Sequence, residues 1–500
     1  MTKELDRVSQ ALRDERVLRQ QADERAAQAT EKARIWRRRA EERAERIREL
    51  EQAKRPLIGR SRSLESPAPV HHPEAPTKKL LAWKSHPGIR VATATKNADC
   101  DNVLSMFDSV VFDGEPPADA DIVLVSPAVV QRWTSQEQAS LQAWADSPGR
   151  APLVTYGGES LPFSTATVAM PTTALSSFRI AGLDVDQPDG LVRITEAELA
   201  DSRVIAAAAS GAPLAVGDAN PSIDHASTAA RRWAYRYHHP RRKAARLLHL
   251  AGITAADTTP LVSAALVSNR PDLVPDQVRS LAEQTHSRIE ILIGLHGCEP
   301  TAELRAVIDQ MSDRWRITVT AFPASLTLGE CLNNVIDSGT GAVVAKIDDD
   351  DFYGPAYLED AVHAFDYSRS DIVGKATQFT YLAETDETVV RRVGQEERLM
   401  GGTPTGASML ATRRLWNDVR FPHRPRFVDS VFVRGARALG ATVYATSRWE
   451  FCYVRQELGH TWAASSASLL AASEPAFPGF DSRRVVVADE CSGLSAPTPS

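Results

Sequence analysis

The chain has 500 residues, 43% of them hydrophobic and 24% charged, with a formal net charge of -6. This is the composition of an ordinary globular protein with chain enough for roughly two to four domains. The slight negative charge excludes a general attraction to nucleic acid or anionic lipid, and no apolar run approaches the ~20 residues of a membrane span.

Residues 1–54 come first and hold neither Gly nor Pro after Lys3. Leu5, Val8, Leu12, Ala26, Trp36, Ile47 and Leu50 fall on one heptad seam between charged positions, which predicts a coiled-coil helix and, through it, a homo-oligomer. The alanine-rich middle makes a weak seam, and a single solvated helix is the alternative. The arginines of 34–48 alternate with Glu41, Glu42 and Glu45, which argues against nucleic acid as a partner. Residues 55–87 turn to Pro, Ser and basic side chains (Pro67-Ala68-Pro69, His71-His72-Pro73) and read as a disordered linker.

Residues 88–250 alternate between short apolar strands and helical stretches. Strands are expected at Arg90–Ala94, Ser109–Phe112, Asp121–Val125 and Leu153–Tyr156, with a helix over Ser135–Ala145. The pattern predicts a small doubly wound, Rossmann-like α/β domain. Gly157-Gly158 permits a tight turn, but no G-x-G-x-x-G or Walker pattern accompanies it. The stretch Ser227–Leu250 is basic and broken at Pro240. His238 and His239 lack nearby ligand partners in the sequence and are expected on the surface.

From Pro260 the alternation sharpens. Strands are expected at Leu261–Val267, Ile289–Ile293 and Arg316–Thr320, with helices at Asp276–Gln284, Ala302–Met311 and Leu328–Ile336. Next comes Ala342-Val343-Val344-Ala345, a buried strand that runs into Lys346-Ile347-Asp348-Asp349-Asp350-Asp351 and stops at Gly354-Pro355. Four like charges at the carboxyl end of a strand repel one another, and a divalent cation with oxygen ligands relieves that repulsion. An acidic, solvated turn is the plainer alternative. Beyond Pro475 the chain is rich in Ser, Pro and Gly, so 473–500 reads as a flexible tail.

Five cysteines (Cys100, Cys298, Cys331, Cys452, Cys491) lie scattered without a C-x-x-C pair. That spacing argues against a disulfide framework or a zinc site and predicts a reducing compartment. The charged start from Lys3 predicts no signal peptide. Together these features lead us to expect a cytoplasmic protein, with at most peripheral contact at the inner face of the membrane.

Over residues 258–472 the order of motifs resembles the family 2 glycosyltransferases of the GT-A fold. Val262–Arg270 is similar to the first strand and the turn that meets the nucleotide, which implies donor contacts from Asn269 and Arg270. Leu328-Gly329-Glu330-Cys331-Leu332-Asn333-Asn334 resembles the helix before the metal strand, with Asn333 as a further donor contact. Asp348–Asp351 resembles the D-x-D site. The resemblance implies that Asp348 and Asp349 meet the donor and that Asp350, the best ligand, and Asp351 hold Mn²⁺ or Mg²⁺. Arg426-Phe427-Val428-Asp429-Ser430 is similar to the family's acidic motif at a helix start, which implies Asp429 as general base; capping that helix is the alternative. His460 in Leu458-Gly459-His460 would complete the metal shell, or serve structure alone. Gly401–Ala407 resembles the stretch beneath the acceptor.

Two departures qualify the resemblance. Gly294-Leu295-His296-Gly297 lacks the acid that usually holds the nucleotide, so no base is assigned to the donor. Asp349 stands where a small or neutral residue is common. Residues 88–250 distantly resemble a nucleotide-sugar-binding half-domain of the other common transferase fold, and are expected to be accessory.

The expected fold is therefore a GT-A type, mostly parallel mixed sheet with helices on both faces, preceded by the smaller Rossmann-like domain and the coiled-coil helix. The expected activity is metal-dependent, inverting transfer of a hexosyl or related sugar. Its partners would be a nucleotide-diphosphate sugar donor and a glycan or lipid-linked acceptor, in cell-envelope polysaccharide synthesis. A non-catalytic scaffold built on a retired transferase domain is the alternative. A nucleotidyltransferase is a third reading, disfavoured by the late Asp429 and His460.

Overall fold

A computed structural model of the chain describes residues 89–494, apart from 95–106, 157–167, 171–190, 457–468 and several shorter gaps of one to three residues. The expected coiled coil, the linker, Gly157-Gly158, Cys100, Cys491 and His460 lie outside the described residues.

Five short strands open the described part: β1 (Arg90–Thr93), β2 (Asp108–Val111), β3 (Ile122–Val125), β4 (Leu153–Tyr156) and β5 (Val168–Met170). They pair in parallel in the order β2-β1-β3-β4-β5. Helix α1 (Ser135–Ala145) starts where expected because Thr134 and Glu137 form a reciprocal capping box. A two-stranded parallel pair follows, β6 (Val192–Ile194) and β7 (Leu214–Val216), with α2 (Ser202–Ser210) between them.

Helices α3 (Ile223–His238) and α4 (Pro240–Leu250) meet at His239. Pro240 takes the first position of α4, where its fixed φ and missing N–H cost nothing. Beyond them come β8 (Val262–Ser268), α5 (Val274–Ala282), β9 (Ile289–His296), α6 (Ala302–Met311), β10 (Arg316–Phe322), α7 (Leu328–Asp337) and β11 (Val343–Ile347). The chain continues through β12 (Phe352–Tyr353), α8 (Tyr357–Ser368), β13 (Ile372–Lys375), β14 (Gln378–Leu382), β15 (Glu387–Arg391) and β16 (Arg398–Leu399). It ends in β17 (Leu410–Thr412), α9 (Arg413–Asp418), α10 (Val428–Ala438), β18 (Val443–Thr446), β19 (Phe451–Arg455) and β20 (Ser473–Pro478).

The main sheet has eight strands in the order β10-β9-β8-β11-β17-β13-β18-β16. Its first four are parallel, β17 runs antiparallel between β11 and β13, and β16 closes the far edge antiparallel to β18. Strands β8, β9 and β11 are buried nearly throughout, as the continuous apolar runs of a sheet covered on both faces require. One core, with Leu266, Ile291, Ile347 and Phe365, fills one face; another, with Leu332, Trp416 and Phe432, fills the other.

A second sheet, β12-β19-β14-β15-β20, packs Phe379, Cys452 and Phe477 with Trp449 and Val485. Its edge strand β20 begins where composition suggests a flexible tail. Pairing of β20 with β15 and burial of Phe477, Val485 and Val487 correct that reading. Few apolar side chains are needed when the backbone of a strand already bonds along a neighbour.

Helices α3 and α4 are tied to α8 by charge. Arg232 bridges Asp360 and Glu450 at 2.8 and 2.7 Å, Arg236 meets Glu359 at 2.6 Å, and Arg241 meets Asp366 at 2.6 Å. His238 and His239 are therefore not surface residues. His238 is buried beside Trp233, and His239 lies 3.2 Å from Asp366, because the bend before Pro240 packs against α8.

Candidate active site

The carboxyl ends of β8, β9 and β11 open on one cleft of roughly 730 Å³. Ser268, Asn269, Arg270 and His296 line its near half with Asp348, Asp349 and Asp350. Gln378, Arg391, Arg392, Thr403–Ala407, Pro425–Ser430 and Tyr453 line the far half.

Each acid of the quartet meets a different environment, because successive residues leaving a strand point to different sides. Asp348 Oδ1 accepts from Lys346 Nζ at 2.6 Å, and its own N–H donates to the Tyr353 hydroxyl at 2.9 Å. That hydroxyl donates in turn to the Ala407 carbonyl at 2.8 Å, bolting the acid strand to the loop across the cleft. Asp349 is buried against the Ser268 hydroxyl and the Arg270 guanidinium. Asp350 takes a second bond from Arg270 at 2.8 Å. Asp351 turns away from the cleft wall: its Oδ1 accepts from the Val454 N–H at 2.8 Å, and its buried Oδ2 has no hydrogen-bond partner among the described residues.

Asp429 stands in the first turn of α10, where the helix dipole favours a negative charge. It does not cap the helix; Phe427 holds that place without a side-chain bond. Asp429 Oδ1 lies 3.8 Å from Lys346 Nζ and is buried without a hydrogen-bond partner among the described residues. Gly406 passes so close that a Cβ there would overlap the Asp429 carboxylate. The sequence-predicted base and the acid strand thus face one another with Lys346 between them.

Burial pushes the Asp429 carboxyl above its usual range, with Lys346 opposing and Asp348 adding to the rise. Burial likewise raises Asp350, against the pull of Arg270, and raises Asp351 well above a normal carboxylate with help from Asp348 and Asp350. Lys346 is buried too, yet Asp348 and Asp429 outweigh that burial and hold its ammonium charged.

Asp348 to Asp351 and Asp429 make five carboxylates, while Lys346 and Arg270 are the two cations in contact with them. The excess of negative charge, with Asp350 raised by burial and further by Asp348 and Asp349, suits a divalent cation. Among the described residues no three acidic, His or Cys side chains converge as a ready-made cage. Mg²⁺ and Mn²⁺ need only one or two carboxylates when substrate phosphates supply further ligands, so Asp348 and Asp350 on the cleft wall fit.

The remaining expected contacts divide. Asn269 and Arg270 line the cleft, whereas Asn333 does not. Both halves of the Asn333 amide are used on the Phe421 backbone, at 3.0 Å each, so its role is to hold the chain leading into α10. Asp351, expected as a metal ligand, serves β19 instead.

Several cleft residues escaped the sequence reading. Lys346 carried a signal, a charge inside an otherwise apolar strand. Gln378, Arg391, Arg392 and Tyr453 carried none, because they belong to the second sheet. Phe427 is 72% exposed and sits at φ +60°, a left-handed conformation that costs a bulky residue about 1–2 kcal/mol. His296 occupies the strand end where the family acid was expected. Its Nε2 donates to the Leu326 carbonyl at 2.8 Å, which leaves Nδ1 as an acceptor when the ring is neutral.

Residues 266–415 match the family model described as Glycosyl transferase family 2. The family 2 match runs from within β8 into α9, taking in Ser268, Arg270 and Asp348–Asp351 and ending before Asp429. Among solved structures, S. aureus TarS 1-349 is 16% identical, with a TM-score of 0.32 over 39% of this chain and 60% of that one. The same TarS piece in complex with UDP-GlcNAc is 17% identical, with a TM-score of 0.32 over 41% and 61%. The mannosyltransferase PcManGT from Pyrobaculum calidifontis, in complex with GDP-Man and Mn²⁺, is 14% identical, with a TM-score of 0.31 over 40% and 58%. The chain thus spans about 60% of the length of these three. No curated protein matches it.

Proposed function

We propose that the family 2 domain is a metal-assisted, inverting glycosyltransferase. It moves a hexosyl or related sugar from a nucleotide-diphosphate donor to a glycan or lipid-linked acceptor, in the synthesis of a cell-envelope polysaccharide. The observation that carries this reading is the approach of Asp348 and Asp429 to one ammonium, Lys346, across the cleft.

The donor half is the end of β8, β9 and β11. Asn269 and Arg270 bind the nucleotide there with Asp348 and Asp349, and His296 offers its acceptor nitrogen to the base. Asp348 and Asp350 would hold a divalent cation, which would supply neutralisation for the leaving diphosphate as its charge grows. Asp429 takes the proton of the acceptor hydroxyl as that oxygen bonds to the anomeric carbon from the opposite face. A base raised above the ordinary carboxylate range is better matched to that proton at neutral pH. Residues 88–250 are accessory in this scheme. The coil supplies self-association, and the protein works in the cytoplasm at the inner face of the membrane.

The test is thermal stabilisation of the full chain by UDP, GDP, CDP and dTDP, each with and without Mn²⁺, beside Asp350→Ala. A shift for one nucleotide that needs the metal and vanishes in the variant supports the reading. Absence of any shift sinks it in favour of a scaffold.

A further inference from the structure

The far half of the cleft is basic, although the chain as a whole is acidic. Arg391 ends β15, Arg392 follows it and Arg426 precedes α10; all three line the cleft, with the exposed Arg392 and Arg426 at its lips. Arg392 and Arg426 are exposed and make no ion pair among the described residues. Arg270, which lines the same cleft, is by contrast committed to Asp349 and Asp350. Burial and the charges of Arg392 and Arg455 push Arg391 below its ordinary value, the mark of crowded cations.

Two left-handed residues stand on these same lips, Arg392 at φ +51° and Phe427 at φ +60°. Phe427 is 72% exposed, so burial does not offset its strained backbone. Strain held without a packing reason points to use. Its ring is a flat apolar face beside the candidate base, of the kind that stacks on the C–H face of a sugar. The donor's own phosphates belong on the opposite half, with Arg270 and the acid strand.

We infer that the acceptor is a glycan carrying phosphate or carboxylate groups, held by Arg392 and Arg426 and stacked on Phe427. The inference rests on the transferase reading above and gives that site its acceptor class. Guanidinium forks suit both anions, whereas a neutral glycan leaves them without a partner.

Calorimetric titration of the full chain with three probes tests it: mannopentaose phosphate, pentagalacturonate and neutral maltopentaose, at low and at moderate salt. The expected result is at least tenfold tighter binding of one or both anionic probes than of maltopentaose, weakening as salt rises. The tighter of the two anions names the source of charge. The double variant Arg392→Ala/Arg426→Ala should erase the preference, and Arg392→Lys/Arg426→Lys should restore part of it. Phe427→Ala should weaken all bound probes alike, and Phe427→Tyr should not.

Equal binding of maltopentaose, or no binding of either anionic probe, overturns the inference. So does a double alanine variant that keeps the preference, or one that instead loses stabilisation by nucleoside diphosphate, which would move the arginines to the donor. If nucleotide stabilises the wild type but no anion preference appears, only this inference fails. If no nucleotide stabilises it, the transferase reading fails first.

Discussion

Asp429 is set apart from an ordinary helix-start carboxylate by its surroundings, and two expectations follow at the scale of the residue. Only its deprotonated form accepts a proton, so transfer should fall as pH drops through its raised pKa. The acid limb of kcat/KM for the donor, which reports the unloaded site, should therefore lie above the usual carboxylate range. Asp429→Asn should lower kcat by about a hundred- to ten-thousand-fold and remove that limb, while nucleotide still stabilises the fold. Normal transfer by the Asn variant would rule out Asp429 as base. Gly406→Ala is the subtler probe, since the new methyl must displace the Asp429 carboxylate. It should cut kcat by at least tenfold and leave nucleotide stabilisation intact; full activity would mean that this loop yields freely. That an acidic strand end opens on the cleft was readable in the sequence, because an apolar run leads straight into four adjacent carboxylates. Their separate duties were not. Nothing in Asp348-Asp349-Asp350-Asp351 says that the last turns under β19 to meet Val454, or that Asn333 is spent on Phe421, because partners 88 and 103 positions away decide both.

At the scale of elements, the binding of α3 and α4 to α8 is electrostatic and nearly dry. Arg232 is 3% exposed and its partner Glu450 1%. Arg232→Met should cost about 3–5 kcal/mol, because it strands buried carboxylates that have lost their counter-charge. Denaturant unfolding would measure it, and a loss below 1 kcal/mol would mean that water replaces the guanidinium. The same seam predicts acid lability. Although burial alone would raise them, Asp366 and Glu359 are held down to about 2 by their His239, His363 and arginine neighbours. Groups with depressed folded values give stability that is present above their unfolded values, near pH 4, and is lost as pH falls towards 2. Asp366→Asn should therefore flatten the stability profile in that window, and an unchanged acid transition would refute the assignment. The strands and helices between Val262 and Ile347 were legible to within a few residues because each is a clean apolar period ended by a cap or a glycine. The second sheet was not, since β12, β14 and β19 take their partners from distant sequence and β20 hides among Ser and Pro.

Across the whole molecule, α3 and α4 precede the stretch that the family 2 model matches but share the packing of the sheets around it. Ala229 of α3 joins the cluster around Trp449, and Val485 and Val487 join it from the other end of the chain. A protein begun at residue 258 would expose that apolar cluster and leave Asp360, Glu359 and Asp366 without their arginines. It should be aggregation-prone, with a melting temperature well below that of a protein begun at residue 88. Equal melting temperatures would show that the part from residue 258 onward is self-sufficient.

Lys346 gives the site a sense of order. One ammonium has two claimants, Asp348 at 2.6 Å and Asp429 at 3.8 Å. On the proposed reading, a cation and donor held at Asp348 would free the ammonium for Asp429 and cancel the repulsion that Asp348 exerts on it. Both changes would lower the affinity of Asp429 for its proton. The base would then be cleared only once the sugar to be moved is seated, so that loading would come before attack.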